Sequence, residues 1–145
     1  MNTEERVQLS ALLRKHGHKA TPGRLALLQV LHAANTPLAI PEILKQLKGT
    51  IDQATVYRAL ESLSEVGIVR RVDMQHAHAH YELNIENTHH HHLICKHCGT
   101  IEDVPSCDMG AIEKRVLKKS KLFAHIEHHS LEFFSLCKKC ATEKK

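Results

Sequence analysis

Two Cys-x-x-Cys pairs constrain this chain more than anything else in it: Cys95-Lys96-His97-Cys98 and Cys137-Lys138-Lys139-Cys140. Each pair supplies two sulfurs from one tight turn, so two pairs provide the four thiolates of a tetrahedral structural zinc site. Such a site should clip residue 95 to residue 140. Only one other cysteine, Cys107, lies between the pairs, and nothing local to it lowers a thiol pKa, so it is read as an unremarkable thiol. A thioredoxin-like redox pair fits poorly, because neither CxxC opens a helix after a buried strand.

Immediately before the first pair runs His89-His90-His91-His92, and His76, His78 and His80 lie shortly upstream. Neutral imidazole is the commonest transition-metal ligand and changes charge near physiological pH, so this crowding points to a second, nitrogen-rich metal chemistry. The chain has 145 residues, 42% apolar and only 3% aromatic with no Trp. That supports one or two small cores, of the size that a metal often stabilises. No apolar run approaches the roughly 18 residues of a membrane span, and residues 1–5 carry no basic, apolar leader. A soluble, cytoplasmic protein in a reducing compartment is expected. The formal charge of +4 is compatible with nucleic acid without requiring it.

The N-terminal half carries helical signals. Thr3 can start a helix that Gly17 stops, and Thr21-Pro22 supplies an N-cap followed by proline at the first helical position. A third helix starts near Ile40-Pro41 and ends at Gly49. In the fourth, from Asp52 to Val66, Val56, Leu60 and Leu63 face a core at helical spacing, while Gln53, Thr55, Tyr57 and Arg58 face outward. An outward amide, hydroxyl, phenol and guanidinium on the first two turns are what a recognition helix presents to a major groove. An ordinary surface helix accounts for those residues equally well. The segments 67–73 and 78–83 then read as two strands around a turn at 74–77. Helices, an outward polar helix and a two-stranded ribbon bearing Arg70-Arg71 together read as a winged helix, whose ribbon grips phosphates.

These pieces, in their order, resemble the ferric uptake regulator family of bacterial metal-sensing repressors. The resemblance rests on Lys19-Ala20-Thr21-Pro22-Gly23-Arg24, Ala54 to Leu60, Gly67-Ile68-Val69, Tyr81-Glu82-Leu83, His90 to Gly99, and the closing Cys137 to Cys140 pair. It implies an α+β chain: a winged helix-turn-helix DNA-binding domain over 1–83, a hinge at 84–88, and a small α/β dimerisation domain with structural zinc over 89–145. Our own reading of the C-terminal half places strands near 91–95, 100–104 and 126–136 around a helix from about 109 to 122. By the same resemblance Tyr57 and Arg58 match the base-reading pair, Lys19 a minor-groove lysine, and Arg24 a phosphate contact; the outward helix face adds Gln53 and Thr55, and the ribbon adds Arg70, as further DNA-facing residues.

The resemblance also implies three metal groups. The structural one is Cys95, Cys98, Cys137 and Cys140. A sensing site linking the domains includes Glu82, His90 and His92; strand alternation puts His90 and His92 on one face and His89 and His91 on the other. The third group is His89, His91, Glu113 and His129. The sequence departs from the pattern in the loop Asn35 to Ile40, which lacks the histidine that iron-sensing members place there, and at Asn84, where zinc-sensing members carry a cysteine. A fourth sensing ligand is therefore sought at His80, His78, Asp73 or His32, with His80 favoured, and Asp103 matches a carboxylate of peroxide-sensing members.

The resulting expectation is a homodimeric repressor that binds palindromic double-stranded operators of metal-homeostasis genes when loaded with metal. It needs no membrane and no small-molecule substrate. Zn2+ is the structural cofactor and Fe2+ or Zn2+ the sensed one, with Mn2+ also admitted and iron slightly preferred. A zinc-uptake or peroxide-type regulator of the same family is the alternative. A metal-storage or zinc-dependent interaction module leaves the 54–60 helix unexplained. A zinc hydrolase lacks HExxH, or HxE with PCxxC, so no enzyme is expected.

Overall fold

A computed structural model describes residues 3–75, 78–85, 90–105, 108–127 and 129–143. The chain separates into two compact units, Met1–Glu86 and Asn87–Lys145.

The first unit is built on four helices: α1 (Thr3–Lys15), α2 (Pro22–Ala33), α3 (Ile40–Leu47) and α4 (Gln53–Glu65). Thr21 caps α2 by accepting from the Arg24 N–H at 3.4 Å, and Pro22 opens it. Asp52 caps α4 by accepting from the Thr55 N–H at 2.9 Å. Both caps satisfy donors that a helix start leaves without an intrahelical partner. α3 ends one residue earlier than its glycine suggests, because Lys48 takes the left-handed C-cap at φ 49° and Gly49 follows at φ 77°. Leu9, Leu13, Leu27, Leu28, Ile43 and Leu60 are among the apolar side chains that make one continuous core. Burying each is worth roughly 1.5–3 kcal/mol relative to exposure.

β2 (Val69–Val72) and β3 (His80–Leu83) pair antiparallel, as the ribbon reading expects. The ribbon, however, has a third member. β1 (Leu38–Ala39) pairs with β3, giving the sheet order β1-β3-β2. A two-residue strand offers no alternation for a sequence reading to find, and its neighbour Ile40 already belongs to a helix. The turn residues 76 and 77 lie outside the described residues, as do hinge residues 86–88.

The second unit holds β4 (His90–Cys95), β5 (Ile101–Pro105), α5 (Met109–Lys119), β6 (Glu132–Ser135) and the short α6 (Lys138–Thr142). β4 is central, antiparallel to β5 and parallel to β6. The last strand is shorter than expected: it covers Glu132–Ser135 rather than beginning near 126, and α5 stops at Lys119 with Ser120 as its C-cap. Among the described residues of this unit few apolar side chains are buried, namely Ile94, Cys95, Met109 and Cys140. His91 and His92 are buried as well, at 4% and 1% exposed. A unit with so little apolar core needs another source of stability.

Candidate functional site

The pairing of β4 with β6 explains how the four cysteines meet. The strands run parallel with Cys95 opposite Ser135, so both leave the sheet at the same end. The Lys96 N–H donates to the Ser135 carbonyl at 2.9 Å and holds the two exits side by side. A tight turn then returns the first exit: the Gly99 N–H donates to the Cys95 carbonyl at 2.9 Å, with Gly99 at φ 74°. On the other exit Cys137 caps α6, which carries Cys140.

The result is four reduced thiols whose sulfurs all lie within 4.8 Å of one another. Four sulfurs at about 2.3 Å from a zinc ion stand about 3.8 Å apart along a tetrahedral edge, and Cys98 Sγ and Cys137 Sγ are 3.7 Å apart. The local hydrogen bonds already favour thiolates on one side of the cluster. The Cys95 thiol is drawn down to about 5, first by the Cys137 N–H, which donates to its sulfur at 3.3 Å, and then by the Cys98 N–H. Cys98 is lowered first by the Thr100 hydroxyl. Burial pushes Cys140 up to about 12, so it is the sulfur whose ionisation most needs a cation beside it. The donor set and its spacing fit a tetrahedral thiophilic ion.

β4 also carries the imidazoles. The rings of His90 and His92 lie edge to face with centroids 5.2 Å apart. His92 Nε2 is 3.4 Å from Asp103 Oδ1, on the residue directly opposite in β5. His91 projects elsewhere: its Nδ1–H donates to the Leu131 carbonyl at 3.0 Å, which makes Nε2 the nitrogen with the ligating lone pair. Its ring lies 5.8 Å from that of His129, and His129 Nδ1 is 2.9 Å from Glu113 Oε1 on α5. His91, His129 and Glu113 are thus gathered on one side of the sheet, while the fourth residue of that group, His89, lies outside the described residues.

In the first unit Glu82 stands on β3, where Arg70 holds its carboxylate. His80 Nδ1 is 3.1 Å from the His78 carbonyl. Asp73 is exposed and accepts from the Gln75 N–H at 2.8 Å, which fixes the turn after β2. His32 is 2.8 Å from Glu5 of α1.

α4 divides its faces as its sequence spacing requires. Val56, Leu60 and Leu63 are buried, whereas Gln53, Tyr57 and Arg58 are exposed, Tyr57 by 49%. Thr55 is spent on structure: its hydroxyl donates to Asp52 Oδ2 at 2.5 Å, and Arg58 donates to that hydroxyl at 3.4 Å. This network, led by the Thr55 hydroxyl, holds the Asp52 carboxyl below its ordinary value. Asp52 is a contributor that the functional reading passed over, although its place just ahead of the apolar period marks it as a cap. Between α4 and the start of α2 lies a cleft of about 480 Å³ with Arg24, Arg58, Thr21 and Ser62 on its walls. Arg24 also donates to the Lys19 carbonyl at 3.2 Å, which ties Lys19 to the mouth of α2.

An outward polar helix over a buried core, a small three-stranded wing and a separate unit with four clustered thiols define a winged-helix protein with a candidate metal centre. The model of the ferric uptake regulator family matches residues 15–134. The chain is 31% identical over 133 residues to the peroxide-responsive repressor PerR of Staphylococcus aureus, covering 90% of this chain and 87% of that one. The ferric uptake regulator Fur of Helicobacter pylori, whose structure is described as having three functional metal binding sites, superposes with TM-score 0.73 at 26% identity over 100% of this chain and 97% of its own. The ferric uptake regulator of Francisella tularensis with iron gives 0.69 at 29% identity, over 86% and 96% of the two chains. This chain therefore belongs to the ferric uptake regulator family. It is a metal-responsive, DNA-binding regulator of transcription, and the relatives differ in the signal they answer. Among the described residues no helix is long and apolar enough to cross a membrane.

Proposed function

We propose that the protein is a homodimeric repressor that occupies palindromic operators of metal-homeostasis genes when a divalent ion is bound. The observation that carries this reading is the split face of α4, with Tyr57 and Arg58 outward over buried Val56, Leu60 and Leu63. Arg58 and Gln53 suit base edges, Tyr57 suits a thymine methyl, Lys19 suits the minor groove, and Arg24 and Arg70 suit phosphates.

Zinc is assigned to Cys95, Cys98, Cys137 and Cys140, where it supplies the positive charge that lets four thiolates coexist. A second ion is assigned to Glu82, His90 and His92, with His80, Asp73 or Asp103 completing the set. His89, His91, Glu113 and His129 form an additional site. Because Glu82 belongs to the wing and the two histidines to the other unit, ligation selects one arrangement of the two and shifts the population toward it. Two recognition helices then meet half-sites about one helical turn apart. Nitrogen and oxygen donors accept Fe2+, Mn2+ or Zn2+. Glu82 together with the absence of a cysteine at Asn84 supports iron over zinc.

The decisive measurement is retardation of a palindromic AT-rich duplex with and without Mn(II), for the wild type and for Arg58→Ala. Ion-dependent binding that Arg58→Ala weakens at least about 30-fold supports the reading, given ~1–3 kcal/mol per bidentate base contact and two such contacts per dimer. Equal retardation of apo and loaded protein would falsify it.

A further inference from the structure

Arg70 and Glu82 face each other across β2 and β3. Two guanidinium nitrogens, Nε and Nη2, converge on the single oxygen Oε1 of Glu82. The pair is unequally covered: the glutamate side chain is 13% exposed and the arginine 28%. A carboxylate so covered needs a cation beside it, whereas the better exposed arginine has solvent to turn toward. Above, Glu82 is assigned to the sensed ion and Arg70 to the DNA backbone, so one ion pair joins the two halves of the proposed activity.

We propose that Arg70 is the residue that couples ion occupancy to DNA affinity. While no divalent ion is present, its guanidinium neutralises Glu82 and is withheld from phosphate. A divalent ion at the same carboxylate repels the guanidinium and takes over its charge, and Arg70 then turns to the duplex. The exchange is reciprocal: capture of Arg70 by a phosphate must tighten ion binding by the factor by which the ion tightens DNA binding. Both partners lie on adjacent strands of the wing, so the exchange requires no rearrangement of the sheet. The inference rests on the assignment of Glu82 as a ligand.

The test uses the full chain with zinc at its cysteines, titrated with Mn(II) without DNA by the spin-resonance signal of the free ion. DNA affinity is then measured over a salt series with and without Mn(II). Arg70→Gln removes the competing charge, so Mn(II) should bind at least about fivefold tighter without DNA, the lower end of ordinary coupling. In the loaded protein the slope of log affinity against log salt should become shallower by about two, one phosphate contact being lost from each protomer of the dimer. Arg70→Lys keeps the charge but not the fork: it should tighten Mn(II) binding less and leave the slope unchanged, and it carries the test if Arg70→Gln fails to fold by circular dichroism. Unchanged or weaker Mn(II) affinity in the folded variants overturns the proposal, because Arg70 then merely shapes the wing. Glu82→Gln separates the two ideas. Wild-type Mn(II) affinity in that variant removes Glu82 from the sensing site, whereas lost affinity there with no change on Arg70 substitution removes only the coupling.

Discussion

Each thiol of the cysteine cluster has a different surrounding, and substitutions should report that difference. Cys98 is exposed and hydrogen-bonded to Thr100 at 3.1 Å, while Cys140 is 3% exposed and pushed up by burial. If the proposed zinc assignment holds, replacing either removes a ligand, so Cys98→Ser and Cys140→Ser should both be purified with the four-sulfur zinc lost. Cys107→Ser should retain it, as metal analysis by mass spectrometry will show. Structural zinc contributes folding free energy directly, on the order of 10 kcal/mol for small thiolate sites. The two ligand variants should therefore lose the native ultraviolet signature of the second unit rather than merely bind less metal. These residues were the most legible in the sequence, because CxxC spacing is itself the geometry. The roles of Asp52 and of the Arg70–Glu82 pair were less legible, since each depends on a partner that only helix capping or strand register supplies.

At the level of elements, α4 offers two tests that separate its inner face from its start. Leu60 is 1% exposed within the leucine-rich core, and Leu60→Ala should cost about 2–5 kcal/mol in denaturant unfolding without altering the DNA-facing residues. Asp52 acts through its charge. Its carboxyl is held below its ordinary value of 3.8 by Thr55, so the folded form binds its proton less readily than the unfolded form. The stabilisation is then complete above about pH 4 and vanishes as pH falls through the lowered value. Asp52→Asn should consequently change stability at neutral pH while its difference from wild type shrinks on acidification; a difference that grew toward pH 3 would contradict the assignment. Four helices of this unit are readable from caps, prolines and apolar spacing. β1 is not, because two residues carry no period, and β6 is shorter than its apolar flank at Ile126 and Leu131 suggests, since pairing with β4 starts only at Glu132.

For the whole molecule, the contrast between its units predicts how it comes apart. The first unit has a continuous core of leucine, isoleucine and valine, whereas the apolar side chains buried among the described residues of the second are Ile94, Met109 and two cysteines. Stripping zinc with a strong chelator should abolish the transition of the second unit and leave the helical signal of residues 3–65 largely in place. Calorimetry should then show one surviving transition where the loaded protein shows two, or one broader one.

The six-residue strand β4 has imidazoles at its beginning and a thiol at its end. With the ions assigned as proposed, a clasp that is meant never to open and a detector that is meant to fill and empty are threaded on one short piece of backbone. Damage to the clasp, by oxidants or by soft-metal poisons, would slacken the detector as well. A cell exposed to such an insult would find its genes derepressed whatever the supply of the ion being sensed.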